Sequence, residues 1–159
     1  FATKASAENI ASLIEGYDIV ADCTDNATAR YVISDACFHA GKTLVTAAVM
    51  RMDGNVTTLK PHERRPDGEP NPTYRCLFPD PPEDGAVPVC AELGVLGVMT
   101  GLLGSIQALE ITKELAGIGS SLVGRLLLID GRDLRFQTID YRWNPDNILN
   151  GRSAITVDA

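Results

Sequence analysis

Apolar residues in the first fifty positions follow a helix–strand–helix–strand pattern. Ser6 can cap a short first helix that Gly16 ends. Compact apolar strands are predicted over 17–23 and 43–50, and a helix with one apolar stripe is predicted over 27–40 between them. This order predicts a right-handed crossover between parallel strands, and therefore an α/β fold.

The second half of the chain changes from this pattern to turns, a long loop and one long helix. Asp53-Gly54 predicts a tight hairpin turn into a strand over 55–59. Eight of the nine prolines fall between positions 61 and 88, so we expect a crossover loop over 61–90. A helix over 91–116 is apolar nearly all round and is expected to be central. Two further strands are predicted, over 123–129 and 134–141.

The long helix carries glycines at regular spacing. Gly94, Gly97, Gly101 and Gly104 are three, four and three positions apart, which places them on one face. Such a face lets another backbone approach closely, either within the sheet packing or across a dimer. The helix is too rich in glycine for a good membrane span, so a buried helix beside a homodimer interface is the favoured interpretation.

Composition and charge narrow the class of protein. The chain has 159 residues, 45% of them hydrophobic, which suits a single domain over 1–159. Its net charge of −7 and the lack of a basic stripe argue against nucleic acid as a partner. Four cysteines without a secretory signal indicate a reduced, cytoplasmic setting. Because the chain begins at Phe1 rather than Met, we expect it to be a fragment or a processed chain.

Asp25 and Asn26 are the first candidate site residues. They follow a predicted parallel strand and open a predicted helix, where open α/β sheets bind ligands and where helix N–H groups favour phosphate. A carboxylate at this place can hold Mg²⁺ and neutralise nucleotide phosphates. The alternative is that Asp25 or Asn26 only caps the helix.

Cys90 is the second candidate. At the start of the predicted long helix its thiolate would be stabilised and its pKa lowered, so it could attack an activated acyl group. The alternative is an inert, buried cysteine. Cys23 and Cys37 are predicted to point into the core and to be structural.

Three motifs together resemble one family. They are D-C-T-D-N at 22–26, Y-R-C-L-F-P at 74–79 and C-A-E-L-G-V-L-G at 90–97. In this order they resemble the carboxyl half of the ThiF/MoeB/HesA family, over about 15–144. The resemblance implies a Rossmann-like ubiquitin-activating fold, with a mixed parallel and antiparallel sheet and flanking helices.

The resemblance also implies an activity and its residues. Family enzymes use ATP and Mg²⁺ to adenylate the C-terminal glycine of a β-grasp sulfur-carrier protein. Asp25 and Asn26 match the family's nucleotide contacts, with Asp25 on the Mg²⁺ side and part of the catalytic apparatus. Cys90 matches the proposed glycyl-thioester or persulfide cysteine.

The sequence departs from the family at its zinc site. Many relatives carry two Cys-x-x-Cys pairs that together bind a structural zinc. The matching positions here are Thr73 and Cys76 in the first pair and Asn147 and Asn150 in the second. One thiolate of four is left, so we expect structural zinc to be absent.

The expected function is therefore that of one half of an enzyme. The G-x-G-x-x-G nucleotide loop belongs to the family's amino half and does not occur here, so the chain alone is expected to be inactive. The pathway would be sulfur transfer of the molybdopterin or thiamine type. The rivals are a non-catalytic scaffold that binds the carrier and, with less support, a nicotinamide-dependent reductase on a similar sheet.

Overall fold

The structure is a computed structural model that describes residues 1–82 and 94–152. These residues form five strands and four helices. The helices are α1 (Ile10–Ile14), α2 (Ala27–His39), α3 (Tyr74–Leu77) and α4 (Gly97–Ala116), and the strands are β1 (Ile19–Asp22), β2 (Thr43–Met50), β3 (Asp53–Leu59), β4 (Arg125–Asp130) and β5 (Arg135–Asp140).

The strands form one sheet in the order β1-β2-β3-β4-β5. β1 and β2 are parallel, with Ile19 opposite Thr43 and Asp22 opposite Thr46, whereas the other pairs are antiparallel. In this parallel register Asp22, the last residue of β1, lies beside Thr46 in the middle of β2. The predicted parallel pair and the mixed sheet are confirmed.

Two apolar clusters lie on opposite faces of the sheet. Successive residues of β2 point to opposite faces, so Leu44 packs with α1 and α2 while Val45 packs with α4. Both side chains are almost completely buried. The sheet is thus covered by helices on both sides, as the continuous apolar sequence of β2 requires.

The predicted hairpin turn at Asp53-Gly54 is wrong by two residues. Asp53 already pairs with Met50 in the ladder, so the turn is made by Arg51, which has a φ of 54°, and Met52. Gly54 has a packing role instead, because a Cβ there would lie 2.6 Å from the methyl groups of Leu103. Helix α4 therefore packs directly against the backbone of β3 at Gly54.

The predicted helix over 91–116 begins later than expected. Leu96 is extended and Gly94 has a φ of 70°, so α4 starts at Gly97. Cys90 and the first predicted helical residues belong to 83–93 and lie outside the described residues. The predicted end is confirmed, since Gly117 adopts the left-handed conformation that terminates many helices.

The outer face of α4 is open to solvent in this chain. An added Cβ at Gly97, Gly101 or Gly104 would meet no atom within 4 Å, so the sheet does not use this glycine face. Val98 on the same helix is 77% exposed and Leu109 is 59% exposed. The prediction of a central helix is therefore wrong within this chain. In the part of the chain that the structure describes, no helix is long and apolar enough to cross a membrane.

The proline-rich segment is irregular over most of its described length, as predicted. The four-residue helix α3 interrupts it, contrary to the expectation of a loop without helix. Tyr74 of α3 packs edge-on against Tyr31 of α2, with ring centroids 5.2 Å apart. This contact places α3 next to the amino-terminal half of α2.

Candidate functional site

The candidate site is built on the turn from Asp22 to Asn26, at the carboxyl end of β1. Asp25 lies at its tip with an exposed side chain. Its Oδ1 accepts a hydrogen bond from Asn26 Nδ2 at 3.2 Å. No ion pair joins Asp25 to a basic side chain within residues 1–82 and 94–152. The carboxylate predicted to face a ligand is therefore free to do so.

Asn26 is the N-cap of α2. Its backbone is extended, and its Oδ1 accepts the Ala29 N–H at 2.8 Å. The sequence left helix capping and ligand binding as alternatives, and the structure shows capping through the side-chain oxygen. The amide nitrogen points toward Asp25. The N–H groups of the first turn of α2 therefore start beside an exposed carboxylate.

A buried ion pair lies directly behind this turn. Arg30 Nη1 is 3.2 Å from Asp22 Oδ2, and the two side chains are 12% and 1% exposed. The same nitrogen donates to Thr46 Oγ1 at 3.2 Å and to Ala47 O at 2.8 Å, and Nη2 donates to Thr24 O. Asp22 Oδ1 in turn accepts the Thr24 N–H at 2.9 Å. Charged hydrogen bonds thus tie the turn to β1, β2 and α2.

Sequence reasoning missed this ion pair and one further residue, Gln107. The signal for the pair was present, because Asp22 ends an apolar strand and Arg30 comes one helical turn after the helix begins. Gln107 is an uncharged residue in a long apolar stretch, and nothing local marks it. Its amide is buried between the carboxyl end of β1 and the middle of β2, where Nε2 donates to Asp22 O and Val45 O, each at 2.9 Å.

Cys23 was predicted to point into the core, and that prediction is wrong. It is exposed, and its thiol donates to Gln107 Oε1 at 3.2 Å. The apolar run over 17–23 hid the fact that the strand has already ended at Asp22. Cys37 is buried as predicted, and burial raises the pKa of its thiol to about 12.

A groove of about 610 Å³ opens from the turn across the antiparallel part of the sheet. Tyr74 and Phe78 form one side of it, and Asp130 and Arg135 lie at its far end. Burial raises the pKa of Tyr74 to about 12, so its phenol stays protonated at neutral pH. The other lining residues are Asp25, Asn26, Ala27, Arg30, Ala48, Val49, Met50, Asp53, Gly54, Asn55, Leu128, Ile129 and Gln137.

The donor set at the turn fits Mg²⁺ bound together with a phosphate. Mg²⁺ in nucleotide sites commonly takes one or two carboxylates, with the other positions filled by phosphate oxygens and water. Asp25 supplies one carboxylate without a competing cation. The adjacent helix N-terminus favours the negative charge of a phosphate. The chain therefore has what one side of a nucleotide site needs.

The four positions of the expected degenerate zinc site form a hydrogen-bonded corner, which we call the asparagine corner (71–76 with 143–151). Cys76 Sγ accepts the backbone N–H of Thr73 at 3.4 Å and that of Asn144 at 3.3 Å. Asn150 Nδ2 donates to Asn71 O at 3.3 Å. The two halves of the relatives' zinc motif therefore meet in space.

Asn147 is the centre of the asparagine corner. Its Oδ1 accepts the N–H groups of Leu149 and Asn150 at 3.0 and 3.1 Å. Its Nδ2 donates to Asn144 O and to Asn150 Oδ1, both at 2.7 Å. Each polar atom of this side chain is used, and one thiol is present, so the donor set does not fit zinc. Within the described residues, no group of three or more His, Cys, Asp or Glu side chains could hold a metal ion.

A parallel strand pair with an exposed carboxylate at its carboxyl end, continued by an antiparallel meander, defines an α/β domain of the ubiquitin-activating type. Helices on both faces complete that architecture. The chain belongs to the ThiF family, whose family model matches residues 1–148. The family resemblance and the fold class expected from the sequence are both confirmed.

Three relatives with known names are 43% to 46% identical to this chain over the aligned residues. The SAMP-activating enzyme E1 of Haloferax volcanii is 43% identical over 96% of the chain and 53% of its own length. The sulfur carrier protein adenylyltransferase of Thermus thermophilus is 43% identical over 91% of the chain and 53% of its own length. The mouse adenylyltransferase and sulfurtransferase MOCS3 is 46% identical over 94% of this chain and 31% of its own length. The chain thus spans about half the length of the first two.

Solved structures support the fold. E. coli MccB with ATP superposes with a TM-score of 0.65 at 12% identity, over 92% of this chain and 44% of the other. E. coli MccB with MccA-N7isoASN superposes with a TM-score of 0.69 at 10% identity, over 94% of this chain and 44% of the other. At such low identity the likeness shows the architecture alone.

Proposed function

We propose that this chain is the carboxyl half of an ATP-dependent adenylyltransferase that activates the C-terminal glycine of a ubiquitin-like sulfur carrier. The observation that carries the proposal is the exposed Asp25 carboxylate, held at the helix N-terminus and opening into the 610 Å³ groove. The relatives, a sulfur carrier protein adenylyltransferase among them, support the same activity.

The chemistry joins two negatively charged groups. An oxygen of the glycine carboxylate attacks the α-phosphorus of ATP, the bond to the β-phosphate oxygen breaks, and pyrophosphate leaves. Mg²⁺, when bound, would neutralise the phosphate charge. Asp25 would hold the metal, and the first turn of α2 would orient phosphate oxygens through its N–H groups. The protein's main contribution is to align the attacking carboxylate and the phosphate.

The groove suits the tail of a carrier protein. Its lining runs from Asp25 to residues of β4 and β5, and its volume is about 610 Å³. Met50 and Phe78 are exposed along it and offer apolar contact. Arg135 and Asp130 at the far end can bind polar groups. A tail that ends in glycine would bring its carboxylate toward Asp25 without a side chain on its last residue.

Asp25→Ala in the full-length gene product tests the proposal. Removal of the metal-binding carboxylate should abolish ATP–pyrophosphate exchange driven by the carrier. Asp18→Ala is the matched control, because Asp18 is also exposed and precedes β1 at its other end. Exchange within a few-fold of the unmodified protein for Asp25→Ala would contradict the proposal. If the unmodified protein binds carrier but shows no exchange, it is the non-catalytic scaffold.

We further propose that Cys90 acts after adenylation, as the acceptor of the acyl group or, from a persulfide donor that leaves as a thiolate, of sulfane sulfur. Its thiolate would displace AMP from the acyl-adenylate and form a thioester. Cys90→Ser should therefore keep pyrophosphate exchange and impair sulfur transfer. A carrier with an electrophilic C-terminus should label Cys90 ahead of Cys76, whose sulfur is engaged by two N–H groups. Full sulfur transfer by the Ser variant would make Cys90 a packing residue.

Other parts of the proposal rest on the family resemblance. The carrier pathway would be sulfur transfer of the molybdopterin or thiamine type, in the cytoplasm. The amino half of the domain would supply the glycine-rich nucleotide loop, so this chain alone would not catalyse exchange. The asparagine corner would take the place of structural zinc.

A further inference from the structure

We propose that Gln107 is a positioning residue for the Asp25 carboxylate, acting through the turn that carries it. This inference rests on the proposed function, because it gives Asp25 the role of the metal-binding group. The residues between β1 and Asp25 have no regular backbone ladder, so side chains must fix their conformation. Three side chains do so, and they come from three different elements.

Two of the three act from the α2 side of the sheet. Asp22 turns its own carboxylate back onto the Thr24 N–H at 2.9 Å and onto Thr24 Oγ1 at 2.7 Å. Arg30 donates to Thr24 O and stays paired with Asp22. Both polar groups of the Thr24 backbone are thereby fixed, one residue before Asp25.

Gln107 is the third, and it acts from the opposite face. It is 4% exposed and lies on α4, where its Nε2 bridges Asp22 O on β1 and Val45 O on β2. Its Oε1 accepts the Cys23 thiol at 3.2 Å. A single amide therefore ties the carboxyl end of β1 to the middle of β2 and holds the first residue of the turn.

The role of Gln107 is specific to hydrogen bonding. On its helix the nearest buried residues are the apolar Leu103 one turn before and the charged Glu110 one turn after, and Ile111 is partly buried next to Glu110. An apolar side chain of similar length at position 107 would fill the same space. The carbonyl oxygens of Asp22 and Val45 would lose this hydrogen-bond donor, and Cys23 would lose its acceptor. The turn would then be more mobile on the side that faces α4. Asp25, two residues beyond Cys23, would then sample more positions.

The test compares Gln107→Met with Ile111→Ala in the full-length gene product. Both remove packing or hydrogen bonds from the inner face of α4, but only the first touches the turn. Loss of a residue that orients a metal ligand without touching the metal typically lowers metal affinity about 10-fold or more. The Mg²⁺ concentration that gives half-maximal pyrophosphate exchange should therefore rise by about 10-fold in Gln107→Met. The KM for the carrier should not change, and Ile111→Ala should change neither value.

Hydrogen exchange gives a readout that needs no activity. The backbone amides of residues 23–26 should exchange faster in Gln107→Met and at the normal rate in Ile111→Ala, after both are corrected for global stability. If Gln107→Met fails to fold, Gln107→Glu replaces it. That variant keeps an acceptor for Cys23 and loses the amide donor to Asp22 O and Val45 O, so it should show the same faster exchange.

The outcomes separate this inference from the proposed function. If Gln107→Met lowers stability but leaves the Mg²⁺ requirement and the exchange of 23–26 like those of Ile111→Ala, Gln107 is a packing residue. If instead Asp25→Ala keeps full pyrophosphate exchange, the metal role of Asp25 fails, while the exchange rates of 23–26 still decide whether Gln107 holds the turn.

Discussion

Asn26 is the single residue at which helix capping and ligand binding meet. Its oxygen caps α2, and its nitrogen contacts the carboxylate of Asp25. A cap is a local property that sequence reveals well, because Asn, Asp, Ser and Thr share the needed geometry. The contact with Asp25 depends on the turn's conformation, which residues far along the chain decide.

Asn26→Ala and Asn26→Ser should separate these two roles. The Ala variant loses the cap and should reduce the free energy of unfolding by about 1 kcal/mol, whereas the Ser variant should keep most of it. Both lose the amide nitrogen that contacts Asp25. If that nitrogen matters for nucleotide binding, both should raise the KM for ATP to a similar extent. If the KM for ATP rises in Asn26→Ala but stays close to that of the unmodified protein in Asn26→Ser, helix capping is the only role of Asn26.

The residues of the candidate site differ in how well their positions could be predicted from the sequence. Asp25 and Asn26 could be predicted because a strand end and a helix start coincide in a few adjacent residues. Gln107 could not, because its partners Asp22 and Val45 are more than sixty residues away and its neighbours are ordinary helix residues. Cys23 was misplaced for a related reason: the strand ends at Asp22, one residue before the apolar pattern does.

At the scale of elements, the close approach of α4 to β3 explains the misplaced hairpin turn. Asp-Gly is typical of a tight turn, and this local preference predicted a turn at 53–54. Gly54 is instead part of β3, where its missing side chain admits Leu103. The glycine is thus required by tertiary packing rather than by a positive φ.

Gly54→Ala should be destabilising for this reason. The added methyl group would overlap the Leu103 side chain, and overpacking of a core costs about 1–3 kcal/mol. The double variant Gly54→Ala with Leu103→Ala should lose less stability than the sum of the single variants, as measured by urea denaturation. Additive losses would show that the two residues do not compete for the same space.

The asparagine corner is the second element whose behaviour can be predicted. A chelator should leave the Tm unchanged, because Asn147 and its hydrogen bonds hold the corner without a metal. Asn147→Ala should lower the free energy of unfolding by about 1–3 kcal/mol, since the N–H groups of Leu149 and Asn150 lose their acceptor. Asp146→Ala, an exposed neighbour, is the control. A Tm that falls on chelation would contradict this account.

At the scale of the whole molecule, the uncovered outer face of α4 is the feature that most needs explanation. Val98, Leu109 and Leu115 are exposed on a helix that carries no charge from Gly97 to Leu109. Apolar surface of this extent is usually covered by another protein surface. The sequence predicted the helix and placed its glycines on one face. Whether the helix is central depends on which of its faces packs against the sheet, and the sequence alone does not show this.

We predict that this face forms a homodimer contact in the full-length gene product. Leu109→Glu should shift the protein from dimer to monomer in sedimentation velocity, because it places a charge in an apolar contact. Leu134→Glu is the control, since Leu134 is also exposed, at 74% against 59% for Leu109, but lies in the β4–β5 turn. A dimer that withstands Leu109→Glu, or an unmodified protein that is monomeric, would exclude the contact.

The connectivity of the sheet sets the order in which the protein assembles. β2 with β3 and β4 with β5 are hairpins whose partners are adjacent in sequence, whereas β3 and β4 pair across the whole excursion from Leu59 to Arg125. Closing a loop costs about 0.6 kcal/mol more for each doubling of its length, so the central β3–β4 pairing is expected to form after both hairpins. α4 lies within this excursion and packs on β2 and β3, so it docks as the excursion closes. Because Gln107 arrives with α4, the turn that carries Asp25 acquires its final conformation only in the last stage of folding.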